Sequence, residues 1–595
     1  RGGGVRALGF DLTGGAGRLV LPEPASQTMA LGGLALKGRY VGEADRLEVE
    51  TFRLDLPPDG VFALPDGAPG KTHPVPLRRI EGRGVYFPRE ARAEVTDMSL
   101  DLGGGRLLRL TAAAAAQGTD IAIRARGRLE NIRIDDAAKY WPASWGRDAR
   151  AWVVAHLSDG VLALARADLD GRLGADGKFV IAALKGDMDI RDATVDYLAP
   201  MPKARHVFAR TTFDATRFDI AIEKGEAPGL AVTGGAIALT GLGQRDQYAD
   251  IALAISGNFS DGLRLIESEP LRFASSLGIG PEGSAGKVAT DLRLKFILEH
   301  TLTADQVDIK ASARLEDIAI ARVLLGQDLR EGNLTLTLDR RGMDLKGAAR
   351  VGAMAAQIDW RQNFEAKAPF RNRYRLTGRS GEMRALEDLG FDLGPMGQGH
   401  IRGTAGADLR VTEGRAGERT IEARADLKDL EVEIKQLGWS KARGVAGTAE
   451  AVVALKDTVV TAIPSFAVAA GDMTIKGRAV YAADGSGLDR IEVDRVKYGR
   501  TDTALAVKQR TDGGWDMDFK GTSFDFGPLW SQVLKGGASG AEQETAANLK
   551  LGVAFALDRV WMGEDRSFEG VQGAFRHDGN HWRTATARGR VGKAD

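Results

Sequence analysis

The chain has 595 residues, more than one ordinary hydrophobic core accommodates, so several domains or a repetitive architecture are expected. Its 81 basic and 81 acidic side chains cancel, which argues against a nucleic-acid binder with its basic stripe. It has no cysteine, hence neither a disulfide framework nor a thiolate metal site, and no run of about 18 apolar residues that would cross a membrane as a helix.

Residues 1–139 read as an N-terminal β segment. Strands are expected at 18–22, 29–36 and 46–56. The last alternates Leu47, Val49, Thr51 and Leu54 imperfectly, so a bulge is expected near Phe52. Gly14 to Gly17 reads as a hairpin turn, and residues 57–78, rich in Pro, Gly and Asp, read as a loop. At 140–160 the texture changes to a short helix. Tyr140-Trp141-Pro142 is a break, and then Trp145, Ala149, Trp152, Val153, His156 and Leu157 fall at helical spacing before Gly160.

Residues 161–258 return to strands. Ile220 and Ile222 alternate with Asp219, Ala221 and Glu223; Ile237 and Leu239 follow, then Ile251, Leu253 and Ile255. Side chains on a strand point to opposite faces in turn, so this period of two makes one apolar face and one small or polar face. A helical break covers 259–278, split by Pro270. In the β block 279–382, Leu292, Leu294 and Phe296 alternate with Arg293 and Lys295, and Leu334, Leu336 and Leu338 with Thr335 and Thr337. A short helix is expected at 383–397, another β block at 398–525, and a short helix followed by C-terminal strands at 526–595.

The fold class is therefore mainly β. Turn signals roughly 8–15 residues apart suit an antiparallel meander better than parallel crossovers. A few short helices cannot cover so many strands. The apolar faces must meet each other, curl into a groove, or meet a ligand.

Catalytic constellations are not evident. His577 and His581 flank the turn Asp578-Gly579-Asn580, which reads as solvated histidines rather than a metal site. His156 lies in the apolar helical stripe and reads as packed. Gly278-Ile279-Gly280-Pro281-Glu282-Gly283 matches a dinucleotide fingerprint by letter, but it follows a helix and carries Pro281, so it reads as a loop. No cofactor and no metal are expected. The aromatic group Tyr140, Trp141, Trp145 and Trp152 reads as a helix packed on the end of a β block, or as a contact with a membrane surface or partner.

Several segments carry a resemblance. These are Tyr140-Trp141-Pro142 with Trp152 and Leu157-Ser158-Asp159-Gly160, then Ala193 to Pro202, then Pro270-Leu271. Further on come Ile358-Asp359-Trp360 to Phe364, Leu437-Gly438-Trp439-Ser440-Lys441 and Ser523 to Leu529. Together they resemble the AsmA-like family, in particular its YhdP-like branch, over most of the chain. The resemblance implies a long repeating antiparallel β-groove, a curled, taco-like sheet punctuated by a few short helices. It also implies a bacterial periplasmic protein anchored to the inner membrane, moving phospholipid to the outer membrane and supporting the outer-membrane barrier. The N-terminal membrane helix it implies is absent from this sequence, which opens at Arg1. Implied partners are phospholipid acyl chains, the inner and outer membranes, and membrane proteins at either end, with no nucleic acid.

Candidate lining residues are Ile220, Ile222, Ile237, Leu239, Leu253, Leu292, Leu294, Phe296, Leu334 and Leu336; alternatively these fill a closed sandwich core. Two other functions compete with a non-enzymatic lipid conduit: a β scaffold assisting outer-membrane protein assembly, as in the TamB-like relatives, and a β-solenoid polysaccharide enzyme.

Overall fold

The computed structural model describes residues 6–21, 27–67, 71–175, 178–276, 278–299, 306–324, 327–352, 354–380, 401–434, 437–457, 459–482, 487–528, 550–563, 565–579 and 581–591. Strands dominate, broken by a few short helices. Two compact units divide the chain, Arg1–Glu282 with Lys287–Ser312, and Gly283–Gly286 with Ala313–Asp595.

In the first unit the strands pair as an open antiparallel meander that does not close into a barrel. Ala7–Gly14 pairs with Gly33–Val41, and the order then runs through Arg46–Asp55, Arg79–Phe87, Arg92–Gly103, Arg106–Gln117, Asp120–Arg133 and Val161–Leu173. It continues through Phe179–Val195, Ala204–Asp214, Arg217–Ala227, Leu230–Thr240 and Tyr248–Asn258 to Ser284–Ile297. Tight turns make this possible. Gly118, at φ +64, lets Gln117 and Asp120 pair across a two-residue connection that a β-carbon would strain. Bulges bend the strands further. The one expected near Phe52 is present: Val49 pairs with Gly84 and Phe52 with Gly82, three residues along one strand against two along the other, with the register shifting between them.

The main core of this unit lies at one end of these strands. Leu54, Leu56, Leu102 and Ile132 meet Met29 and Leu31 of the hairpin Gly17–Leu21/Gln27–Leu31. They also meet Val75 and Leu77, which belong to the hairpin Val61–Pro65/Thr72–Pro76 and its exit. Two expectations change here. Residues 57–78 are not simply a loop: their prolines sit within a two-stranded hairpin too short to show alternation. Gly14 to Gly17 is not a hairpin turn but the link from the main sheet into this covering layer, because Ala7–Gly14 pairs with Gly33–Val41 instead.

Helix Ala137–Tyr140 precedes the Trp141-Pro142 break, and Arg147–His156 follows from Gly146 in the left-handed region. Trp145 and Leu157 fall outside that helix. Leu157 has already turned extended to pair with Val195. Helices Phe259–Glu267 and Phe273–Ser276 flank Pro270.

The second unit repeats the meander from Gln327–Leu338 through Gly342–Val351, Met354–Asn363, Asn372–Arg379, Gly406–Glu413, Glu418–Asp426 and Gly447–Lys456. It goes on through Val459–Ala470, Met473–Tyr481, Leu488–Tyr498 and Thr501–Gln509 to Trp515–Asp525. A three-stranded layer, Ile401–Gly403, Leu430–Ile434 and Trp439–Lys441, covers strand ends around Trp439, Ala470, Met473 and Tyr498. One pairing departs from the antiparallel expectation. Trp515–Asp525 and Lys550–Trp561 are parallel, which the long connection between them allows. Ser567–Asp578 and Trp582–Val591 then complete an antiparallel end. The helix expected at 383–397 lies outside the described residues. Of the helix expected after 526, only Gly527 and Pro528 are described.

Candidate functional site: a continuous apolar face

Register converts the period of two into rows that cross many strands. In the first unit one row reads Leu34, Leu54, Ile80, Leu100, Leu108, Leu129, Ala165, Met188, Thr211, Ile220, Ile237, Ile251 and Leu294, each the direct cross-strand partner of the next. A parallel row holds Leu36, Phe52, Met98, Leu110, Phe213, Phe218, Leu239, Ala249 and Phe296, with glycines or Ala167 at the remaining crossings. A third row carries Ile132, Leu162, Ile190, Ala209, Ile222, Gly235, Leu253 and Leu292.

The candidate lining residues of this unit thus share one face. Ile220 and Ile237 stand in one row with Leu294, Ile222 and Leu253 in the next with Leu292, and Leu239 in the third with Phe296. Each of these eight is half-buried, neither sealed nor exposed. Strand Ser284–Ile297 alternates half-buried and exposed residues along its whole length.

In the second unit Leu334 begins a row through Gly347, Ile358, Leu376, Leu409, Ala423, Ala451, Phe466, Gly477, Val493, Leu505, Phe519, Phe555, Gly573 and Ala587. Leu336 starts the adjacent row with Leu345, Trp360, Tyr374, Val411 and Ile421. The first strands here are more tightly filled. Leu334, Ile358, Trp360 and Leu376 are buried, whereas Leu336 is half-buried. Trp360 stacks on its partner Tyr374 at 5.3 Å, and burial pushes the Tyr374 hydroxyl up to about 12.

Phenylalanines on the apolar faces lie against glycines rather than standing away from the sheet. Phe10 covers Gly38, Phe213 covers Gly186, Phe466 covers Gly477 and Phe555 covers Gly573, each glycine being the ring's cross-strand partner. A β-carbon on Gly38 would stand 2.6 Å from Phe10 Cζ, and one on Gly477 2.7 Å from Phe466 Cζ. The missing side chain is the space the ring occupies.

The opposite face carries charge pairs set directly across from each other. Arg126 meets Asp168 at 3.4 Å, Arg124 meets Asp170 at 3.4 Å, Lys346 meets Asp359 at 3.4 Å and Arg424 meets Glu450 at 3.3 Å. Such pairs fix register and mark the watered side. Arg375 forks onto Asp408 at 3.1 and 2.7 Å, and Arg495 onto Asp502 at 3.0 and 2.7 Å. These guanidinium bonds hold both carboxyls below the usual range.

The histidines and the glycine-rich segment singled out in the sequence take ordinary structural places. His156 Nδ1 sits 2.9 Å from the Asp196 carbonyl oxygen and its ring stacks on Trp152. His577 Nδ1 accepts from the Gly579 amide. Gly278 to Gly283 forms a connection between a helix and a strand. Among the described residues no three His, Asp or Glu side chains gather to hold a metal, and no helix is long and apolar enough to cross a membrane.

Sequence reasoning missed stacked aromatic pairs such as Phe213 with Phe218 and Trp360 with Tyr374. It also missed Leu108, Leu129 and Met188, which stand in the same row as Ile220 and Ile237. The same alternation marks them, but only register shows which residues stand side by side.

Fold and face together define a meandering β-sheet protein with one continuous apolar side in each unit. A model of the YhdP protein family matches residues 96–588, and the chain belongs to that family. No curated protein matches it.

Proposed function

We propose that this chain is a non-enzymatic periplasmic conduit. Phospholipid acyl chains pass along its apolar sheet face between inner and outer membrane, supporting the outer-membrane barrier. The observation that carries this reading is the set of unbroken cross-strand rows, half-buried through Ile220, Ile237 and Leu294. A filled sandwich core would bury such residues almost completely. A half-covered aliphatic floor has room for another apolar layer.

Burying each methylene of an acyl chain is worth about 0.8 kcal/mol, so a chain is held by length of contact rather than at one point. The charged opposite face keeps the protein in water. Membership of the family supports the same reading.

The test is to purify the protein from a bacterial envelope without detergent and examine it by native and denaturing mass spectrometry. Several co-purified phospholipids per chain are expected. Photo-crosslinkers at Leu294 and Leu336 should capture acyl chains, and Leu294→Asp should reduce the lipid count at unchanged fold. A folded protein that carries no lipid and crosslinks none would overturn the proposal.

A further inference from the structure

Near the end of the second unit the apolar face changes character along a single strand. On Lys550–Trp561 the face that carries Phe555 and Leu557 continues into Arg559 and Trp561. Register places Arg559 opposite Ser523 on one side and Glu569 on the other, and Glu569 opposite Arg590. Trp561 Nε1 donates to Ser523 Oγ at 3.1 Å. Two guanidinium groups lie over its ring, Arg500 at 4.6 Å and Arg559 at 5.3 Å from the centroid. Arg500 is delivered there by a two-residue turn in which Gly499 takes φ +47, between the paired Tyr498 and Thr501.

Arg500, Arg559 and Arg590 line one depression of about 640 Å³, with Trp561 in its wall. Asp558 and Glu569 line it too, so the three arginines leave it positive. Arg559 spends one contact on Glu569, at 3.3 Å, of the five N–H donors a guanidinium carries.

We infer that this rim binds the phosphate of a lipid headgroup whose acyl chains rest on Phe519, Phe555 and Phe575; the inference rests on the conduit reading above. Guanidinium forks match phosphate oxygens two at a time, which ammonium groups do not. Stacking on the indole holds two of them in place before the ligand arrives. Tryptophan suits a boundary between an apolar body and a polar layer, and that boundary falls on this strand. An amphiphile has the same order of parts.

The experiment compares the full chain with the variant Arg500→Gln/Arg559→Gln, using three probes. These are phosphatidylglycerol with a fluorescent acyl chain, diacylglycerol with the same chain and no phosphate, and soluble glycerol 3-phosphate. The variant should lose about tenfold or more in phosphatidylglycerol affinity while diacylglycerol binding stays unchanged. Arg559→Lys, which keeps the charge, should fall between the two at an unchanged melting temperature. Equal losses for both lipids, or no loss for either, would overturn the headgroup site. Tight, variant-sensitive binding of glycerol 3-phosphate by a protein that takes up neither lipid would assign the rim to free phosphate esters, overturning the headgroup and leaving the arginines as an anion site. A wild type that binds neither lipid nor glycerol 3-phosphate would overturn both readings. Diacylglycerol bound with no preference for phosphatidylglycerol would overturn the headgroup site alone.

Discussion

Thr211 puts a hydroxyl into an otherwise aliphatic row, between Met188 and Ile220, and is 2 % exposed. Its Oγ1 has no hydrogen-bond partner among the described residues. An unpaired buried hydroxyl costs about 1–3 kcal/mol, and valine has the same branched shape without it. Thr211→Val should therefore raise stability by about 1 kcal/mol, read as a higher urea midpoint at unchanged slope. A lower midpoint would mean that the hydroxyl has a partner.

Lys441 poses the opposite case, a buried ammonium that is well partnered. Nζ donates to the Leu430 carbonyl at 2.8 Å and stands 3.4 Å from those of Lys428 and Ala442. Burial nonetheless pulls its pKa down from the usual lysine value. The unfolded chain then holds this proton more firmly than the folded one. Stability should rise as pH climbs through the alkaline range toward the unfolded value near 10.4, and that increment should be missing in Lys441→Met. Chemical denaturation of both proteins between pH 7 and 10 measures the difference.

Elements differ in how firmly they are sealed, and that difference is measurable. Leu77 is 2 % exposed beneath the hairpin Val61–Pro65/Thr72–Pro76, whereas Leu292 is only half-buried on the open face. Leu77→Ala should cost about 2–5 kcal/mol and Leu292→Ala clearly less, because only the first leaves a cavity among packed neighbours. Comparable losses in urea unfolding would show the face around Leu292 to be as filled as the core.

The contrast follows what could be read from residues alone. Alternation at Leu292, Leu294 and Phe296 is strong because the intervening Lys295 and Arg293 need water. The hairpin over 61–76 was illegible because its strands are short, proline-bearing and stabilised by packing rather than by pattern. The parallel pairing of Trp515–Asp525 with Lys550–Trp561 was hidden for another reason: strand direction leaves no mark on the period of two. The Arg559 and Trp561 rim escaped notice because its partners, Arg500, Ser523 and Arg590, come from separate strands and a turn.

For the whole molecule the balanced charge is spent locally, in pairs across and along strands. Asp55, Asp219, Asp408 and Asp502 all accept arginine hydrogen bonds that hold their carboxyls below the ordinary range. Their folded pKa values lie under the unfolded ones. The stabilisation they supply is therefore complete above the unfolded value near 3.9 and is lost as pH falls through the folded values. The urea midpoint should stay level from pH 7 to about 5 and drop below about 4. In Asp408→Asn/Asp502→Asn that drop should be shallower; an unchanged acid slope would place the sensitive carboxylates elsewhere.

The phenylalanines laid over glycines bear on how fast a tail could travel along the proposed floor. A ring standing upright would make a fence, and diffusion past a line of fences slows with the height of each. Flattened onto Gly38, Gly186, Gly477 and Gly573, the rings leave low relief and shallow free-energy ripples. A β-carbon at Gly186 would collide with Phe213 Cζ and press on the Arg166 carbonyl oxygen as well, so Gly186→Val would raise the ring into a hurdle and loosen the strand pairing beneath it.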